Sequence, residues 1–405
     1  MQTWAERAAR TMQRLDQLAA IGAGGRRGAH RPGLSAAEQE ACELVAGWMS
    51  EAGLDAGWDV CGNLYGRLPG ADAGAPEVWS GSHLDTVPNG GRFDGALGVL
   101  AAVEAIASLR GRGLKATLAA VAFRDEEGWR FGEGCFGSLW VCGRIGPRQL
   151  ESADDDGVSV SAALSALGYA APAGGAPLPG AYLEAHIEQG PQLERLGRSN
   201  AVVTSIAGMA GFVVEIEGSS GHAGTTPMAG RRDALTAAAE LALDLRERCA
   251  DVEGGVLTIG RIEVLDGASN VIPGRVTLTI DTRAPGGERL DALVAHVREA
   301  TARVSARGCQ VRIDQRWCDQ PIPMSGRVAE AVRGAGRRAG IELAELVSGG
   351  GHDAGVLAMA GVESGMLFTR SQNGSHNPDE LAGEADVAAT IDLLAGALAE
   401  LAGGL

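Results

Sequence analysis

Lys115–Phe123, KATLAAVAF, is apolar almost without interruption and gives way at once to Arg124-Asp125-Glu126-Glu127-Gly128. A run of this kind, with no polar alternation, marks a strand covered on both faces, which places it in the middle of a sheet flanked by helices. The stretch before it, GALGVLAAVEAIASL, is small and apolar on most sides and reads as a buried helix. Val78–Ser82, earlier still, reads as a further strand. Strand, helix, strand, with polar residues at the carboxyl end of the strand, is the α/β arrangement whose crevice takes ligands. At 405 residues the chain exceeds what one compact core usually holds, so two domains are expected.

The rest of the chain extends this pattern on both sides of an interruption. Residues 1–50 read as two helices joined by the loop GAGGRRGAHRPG, in which His30 is expected to face solvent. Asp59–Leu68 reads as a strand pair, Asp154–Ala166 as a helix, Ala181–Glu188 as a strand or helix start carrying His186, and Ser199–Gly208 as a strand leading out. From Met209 the order becomes β-α-β-β-α-β: GFVVEIEG, a helix from Arg231 to Cys249, VLTIGRIEVL, RVTLTIDTRA, a helix from Glu288 to Arg307, and CQVRIDQRW. This suggests a four-stranded sheet with two helices on one face and an exposed edge open to pairing with another copy. After Pro321 and Pro323 the first pattern resumes, with a helix near 325–340, the strand GMLFT and a last helix at 384–401. The fold class expected is therefore α/β, a large domain of residues 1–208 and 325–405 holding an inserted α+β domain at 209–324.

Charge and cysteine usage narrow the function. A formal net charge of −16 argues against nucleic acid, which needs a basic footprint. Seven cysteines, odd in number and without a C-x-x-C pair, fit reduced thiols better than a disulfide framework or a thiolate zinc site. The N-terminal stretch carries charges throughout and lacks the apolar core of a signal peptide. No run is long enough to span a bilayer, so a cytoplasmic protein without membrane contact is expected.

The polar residues that can bind a metal gather in a few strings. In GSHLDTVPNGGRFD, His83 and Asp85 stand two apart at a strand end and so point the same way. The imidazole can take a metal while the carboxylate fixes its ring. The Gly90-Gly91 turn can fold Asp94 back toward the same ion. Glu126, Glu127, His186 and His376 complete a set of histidines and carboxylates, all in loops or at strand ends. Such a set favours zinc, or else manganese, nickel or cobalt. Glu126 and Glu127 are adjacent and must point apart. One can bind metal while the other accepts a proton from the water that the metal acidifies.

The strings GSHLDTVPNGGRFDGALGVL, EEGWRFGEGCFGS, HIEQGPQLE, GHAGTTPM, GGGHDAG and SHNPDE, in this order, resemble the N-carbamoyl-L-amino-acid hydrolase, allantoate amidohydrolase and β-ureidopropionase group. That group belongs to a larger class of two-zinc amidohydrolases and peptidases, and the resemblance covers nearly the whole chain. It implies a catalytic α/β domain with an inserted domain that serves as lid and dimerisation surface of a homodimer. It implies His83 and His186 on one metal ion, Glu127 and His376 on a second, and Asp94 bridging them. Glu126 matches the general base and Asp85 the residue that orients the ligand histidine. His222 matches an oxyanion-stabilising histidine that reaches across the dimer. Asn270 and Arg283 match substrate-binding positions, Arg283 gripping a carboxylate. Gln189 is then a contact for the ureido group and His352 part of the pocket wall.

The implied reaction is hydrolysis of an N-carbamoyl amino acid or related ureido acid to amino acid, carbon dioxide and ammonia. Allantoate hydrolysis is the alternative, and a dipeptidase or N-acyl-amino-acid deacylase is a further one on the same fold. Against these last two, His186 stands where the peptidase branches carry a carboxylate. Trp129, Arg370 and Gln372 depart from the group's pattern and bear on substrate identity. Asn270 also suits a turn before Pro273, and Arg283 a surface ion pair.

Overall fold

Residues 2–24 and 27–403 are described by a computed structural model of the protein. Gly25 and Arg26 of the expected N-terminal loop lie outside the described residues. Helix α1 (Trp4–Ala20) begins with a reciprocal cap: the Thr3 hydroxyl accepts from Glu6 N and the Glu6 carboxylate accepts from Thr3 N. After α2 (Ala36–Glu51) come strands β1 (Asp55–Trp58), β2 (Leu64–Leu68) and β3 (Val78–His83), helix α3 (Ala96–Ser108), and strands β4 (Leu118–Phe123), β5 (Ala181–Ile187) and β6 (Asn200–Ile206). The second pattern supplies β7 (Gly208–Glu217), α4 (Ala234–Ala250), β8 (Val256–Val264), β9 (Arg275–Ala284), α5 (Gly287–Ser305) and β10 (Gln310–Asp319). The first then resumes with α6 (Gly326–Ala339), α7 (Asp353–Met359), β11 (Glu363–Thr369) and α8 (Glu384–Leu401). No described helix is long and apolar enough to cross a membrane.

The chain forms two compact units, one from residues up to Thr204, Pro323–Leu346 and His352 onward, the other from Ser205–Ile322 and Val347–Gly351. The first carries a mixed nine-stranded sheet in the order β1-β2-β4-β3-β5-β11-β6, continued by the short strand Ile322–Pro323, with Ala344–Ser348 also paired to β6. β4, β3, β5 and β11 run parallel, and every residue of β3, β4 and β5 is buried. This is the environment that the apolar run at 115–123 requires. The chain passes from β3 to β4 on one side and then to β5 on the other. That reversal opens a crevice at the strands' carboxyl ends. α3 lies close on β5, because a Cβ at Gly98 would stand 2.1 Å from the Ala185 carbonyl oxygen.

The second unit has the expected strand and helix order and a four-stranded antiparallel sheet, β10-β7-β9-β8. Alternate residues of β9 (Val276, Leu278, Ile280) turn inward to a core shared with Leu241 and Leu245 of α4 and Leu290, Leu293 and Val297 of α5. Fold class and the insertion are thus as the sequence implies.

Local departures have local causes. The expected helix at 154–166 covers only Val160–Ala166. Asp154 Oδ1 accepts from Asp156 N and Val158 N and so holds a turn instead. The strand pair expected at 59–68 begins earlier, at Asp55, since Asp59 Oδ1 takes the N–H groups of Cys61 and Asn63 in the connecting turn. Asp94 precedes α3 by two residues and is not part of it. His30 is partly buried, its ring edge-on to Trp129 at 6.2 Å, and is not the fully exposed residue expected.

Candidate metal centre

Loops at the carboxyl ends of the parallel strands bring the candidate ligands of the first unit together. His83 is the last residue of β3, opposite Phe123, the last of β4. His186 is next to last on β5, opposite Phe368 of β11. Burial of these strands on both faces leaves the two rings little freedom. Asp94 arrives through the glycine-rich turn, and Glu380 Oε1 holds that segment by accepting from Phe93 N (2.9 Å) and Asp94 N (3.1 Å). Between Asp94 and α3 the chain makes a tight turn, with Ala96 N 2.6 Å from Asp94 O and Gly95 at φ +63°. A Cβ at Gly95 would lie 2.4 Å from the His83 ring, so only glycine lets α3 begin here.

His83 Nε2 stands 3.7 Å and His186 Nε2 3.1 Å from Asp94 Oδ1. His376 Nε2 lies 3.5 Å from Asp94 Oδ2 and 3.3 Å from Glu127 Oε2. Three donor groups have their ligand atoms within 4.8 Å of one another: His83–Asp94–His186 and Asp94–Glu127–His376, which share Asp94, and Glu184–His186–His352. His83 and His186 are buried, whereas the His376 side chain is 51% exposed and marks the open side.

Hydrogen bonds to the far side of each ring fix its role. His83 Nδ1 is 3.1 Å from Asp85 O and 3.4 Å from Asp85 Oδ1, and His186 Nδ1 is 2.9 Å from Ile187 O. With Nδ1 donating, Nε2 of each neutral ring carries a lone pair. These lone pairs face carboxylate oxygens, acceptor against acceptor, and His186 Nε2 is buried without a hydrogen-bond partner among the described residues. A cation between them resolves the conflict, and imidazole with carboxylate suits a divalent ion of the zinc type. The field here is negative and favours positive charge at this place, a ring proton or a metal ion in its stead. Burial works against a charged His83, yet Glu126, Asp85 and Glu127 push its pKa well above the usual value. Burial likewise works against an ionised Asp94, and His186 and His83 hold its pKa below the usual range.

Asp85 also registers the acid pair, its two oxygens accepting from Glu126 N (3.0 Å) and Glu127 N (3.1 Å). Asp125, at φ +50°, turns the chain so that the glutamates diverge. Glu126 Oε2 comes 3.6 Å from His83 Nε2, and Glu127 goes to His376. Burial, reinforced by Asp353, Glu127 and Asp85, pushes the Glu126 carboxyl well above its ordinary value against the pull of His83. A carboxyl in that state can take up and hold a proton. Gln189 and His376 share the left-handed backbone with Asp125, at φ +61° and +60°, so strained residues gather at this centre.

Gln189 Nε2 donates to Asp94 Oδ2 (3.0 Å), and the His352 ring packs edge-on to His186 at 4.6 Å. Sequence reasoning passed over Glu184, Asp353, Ser375 and Glu380. Glu184 accepts from Ser82 Oγ and Ala354 N, and Ser375 Oγ lies 2.5 Å from both Asp94 Oδ2 and Glu380 Oε2. A signal existed for the first, since Glu184 and His186 are two apart on one strand and share a face.

His222, Asn270 and Arg283 belong to the second unit. His222 is exposed on the short strand Gly221–His222, paired with Val271–Ile272. Its Nδ1 accepts from Gly224 N (3.0 Å) and Thr225 N (3.1 Å), so the neutral ring carries its proton on Nε2 as a donor. Asn270 O accepts from Ala223 N beside a turn closed by Val271 N to Ala268 O. Arg283 Nε pairs with Asp281 Oδ1 (2.9 Å), and Nη1 donates to Gly349 O (2.7 Å). The turn and the ion pair weighed from sequence are thus both present. Of the departures, Arg370 is engaged in a bidentate pair with Asp386 (3.0 and 3.1 Å) and Gln372 donates to Glu194, while Trp129 is 53% exposed.

The sequence pattern described as peptidase family M20/M25/M40 matches residues 79–400. The chain is 37% identical over 381 residues to the N-carbamoyl-L-amino-acid amidohydrolase of Pseudomonas sp. (strain NS671), covering 91% of this chain and 92% of that one. It is 36% identical over 366 residues to the allantoate amidohydrolase of Bacillus subtilis (strain 168), covering 85% and 87%. Among solved structures, an amidase of the hydantoinase/carbamoylase family from Burkholderia multivorans superimposes with a TM-score of 0.90 at 34% identity, over 98% of both chains. A match that takes in all the ligand-bearing loops, and relatives aligned along most of their length, establish that the chain belongs to peptidase family M20/M25/M40.

Proposed function

We propose that the protein is a metal-dependent amidohydrolase that cleaves an N-carbamoyl amino acid, or a related ureido acid, to the free amino acid, carbon dioxide and ammonia. The observation that carries this reading is Asp94 shared between two candidate ligand groups, with Glu126 3.6 Å from His83. His83, His186 and Asp94 would hold one divalent ion and Asp94, Glu127 and His376 a second. Three imidazoles with carboxylates favour zinc. Ions so held supply Lewis acidity to a carbonyl and acidify water.

The protein's own groups do the rest. Glu126 accepts the proton of the attacking water and returns it to the leaving nitrogen. His222, a donor through Nε2, stabilises the oxyanion. Gln189 meets the ureido group, Asn270 contacts the substrate, Arg283 grips its carboxylate, and His352 walls the pocket. One water is consumed, and the carbamate released with the amino acid decomposes to carbon dioxide and ammonia. Exposed Ile262, Val264 and Leu265 at and just beyond the edge strand β8 support a homodimer, and seven free thiols support a reducing, cytoplasmic setting.

Allantoate is the second reading, favoured by the relatives named for it. Ammonia release from N-carbamoyl amino acids, allantoate and 3-ureidopropionate, beside amino acid release from dipeptides, separates the readings. Glu126→Gln is expected to keep its metal and lose roughly 10²–10⁴-fold in kcat. Full turnover in that variant would sink the assignment of the base.

A further inference from the structure

An acidic chain concentrates positive charge at one place remote from the metal centre. Arg7, Arg10 and Arg14 stand three and four residues apart on α1 and so share a face. They converge on Glu104 of α3, which is 2% exposed. Glu104 Oε1 accepts from Arg10 Nε (2.7 Å) and Arg14 Nη1 (3.2 Å), and Oε2 from Arg7 Nη1 (2.9 Å) and Arg10 Nη2 (2.6 Å). A single carboxylate cannot neutralise three guanidinium groups. Glu51 takes only Arg14, at 3.2 Å, and its own side chain is 68% exposed. Arg110, on the other side, makes one long hydrogen bond among the described residues, Nη1 to Ala52 O at 3.5 Å.

These groups line an open cavity of about 350 Å³ with four arginines and two glutamates, a formal excess of two positive charges. Its donors are not used up. Arg7 Nε is itself buried and turned from the opening, so the donors that face the space are the remaining guanidinium nitrogens of the lining arginines. Arg14 is held below the usual guanidinium value, first by burial and further by repulsion from Arg10. Trp4 and Trp48 lie 6.0 and 5.0 Å from the Arg7 and Arg14 guanidinium carbons and steady those two side chains. Tying α1 to α3 needs one arginine on Glu104. Three of them, with a fourth facing the same space, carry more N–H groups than Glu104 can accept.

We propose that this cleft binds a phosphate-type dianion, either inorganic phosphate or the phosphate end of a small monoester. A charge of −2 matches the excess in the lining, and guanidinium forks fit tetrahedral oxyanions in bidentate fashion. The cavity is at the small end of organic-ligand pockets, which leaves room for more than a bare anion. The site is separate from the metal centre, for Glu104 stands eight residues beyond Ala96, where α3 begins after the Asp94 turn, roughly 12 Å of helix.

Calorimetric titration of the metal-loaded protein at ~50 mM salt, with inorganic phosphate and separately with methyl phosphate, tests this. Arg110 is exposed and holds one weak contact, so Arg110→Ala and Arg110→Glu leave the fold intact. Wild type is expected to show saturable binding that weakens about tenfold or more in Arg110→Ala and disappears in Arg110→Glu. Tighter binding of the ester assigns the cleft to a phosphorylated metabolite, and tighter binding of phosphate to the free anion. Absence of saturable binding below roughly 10 mM, or binding unchanged in both variants because the anion sits at the metal centre, overturns the proposal.

Discussion

At Gly95 the chain passes from a ligand loop to a helix within three residues, and the His83 ring occupies the space a side chain would need. Gly95→Ala meets both a positive φ and that ring. It is expected to displace Asp94, cut metal content of the purified protein to well below wild type, and lower stability by about 1–2 kcal/mol; metal analysis with thermal melts reads both. Asp353 offers a pH test. Burial, and next the Glu184 charge, push its pKa up from 3.8 to about 8, and among the described residues only its Oδ1 has a hydrogen-bond partner, Ser138 Oγ. A carboxyl whose folded pKa lies above its unfolded one contributes stability below the unfolded value, and that contribution is lost as pH rises through about 8. Asp353→Asn, neutral throughout, is therefore expected to gain on wild type in melting temperature between pH 6 and pH 9, read from paired melts. At this scale the sequence revealed residues whose spacing has a geometric meaning, such as His83 and Asp85. It hid Glu380 and Ser375, whose bonds to the Asp94 segment join positions some 280 residues apart.

Among elements, α2 shows how a buried charge pair positions the loop that carries Glu126 and Glu127. Glu38 and Arg124 are both fully buried and meet at 3.1 Å, and Glu38 also accepts from Leu34 N and Asp125 N. The pair thus ties α2 to the residue that precedes Glu126. Glu38→Ala leaves Arg124 without its carboxylate and is expected to cost about 3–5 kcal/mol, measured by urea unfolding. Elements were legible where one period ruled: the unbroken run of β4, the alternation of β9, the amphipathic α1. They were misread where a side chain took over backbone bonding, as at Asp154 and Asp59. The short strand Ala344–Ser348 was also missed, because mixed burial gives it neither alternation nor an apolar run.

For the whole molecule, the candidate metal centre lies within one unit, and the second has a hydrophobic core of its own. Chelation is expected to lower the thermal transition of the first unit by about 3 kcal/mol relative to protein held at a hundredfold excess of metal over Kd. The second unit's transition should stay in place, and scanning calorimetry before and after metal is restored checks both. A uniform shift of all melting would contradict a centre confined to the first unit. The sequence by itself determined the α/β class and the inserted four-stranded sheet, and it offered the candidate ligands. Burial period and donor chemistry are local properties, written over a few residues at a time. Only the tertiary structure decided that Asp94 stands between two ligand groups, that Asp85 reads both His83 and the Glu126–Glu127 backbone, and that three arginines crowd one carboxylate. Those relations join segments far apart in the chain, and the packing of α1, α3 and the parallel strands sets their distances.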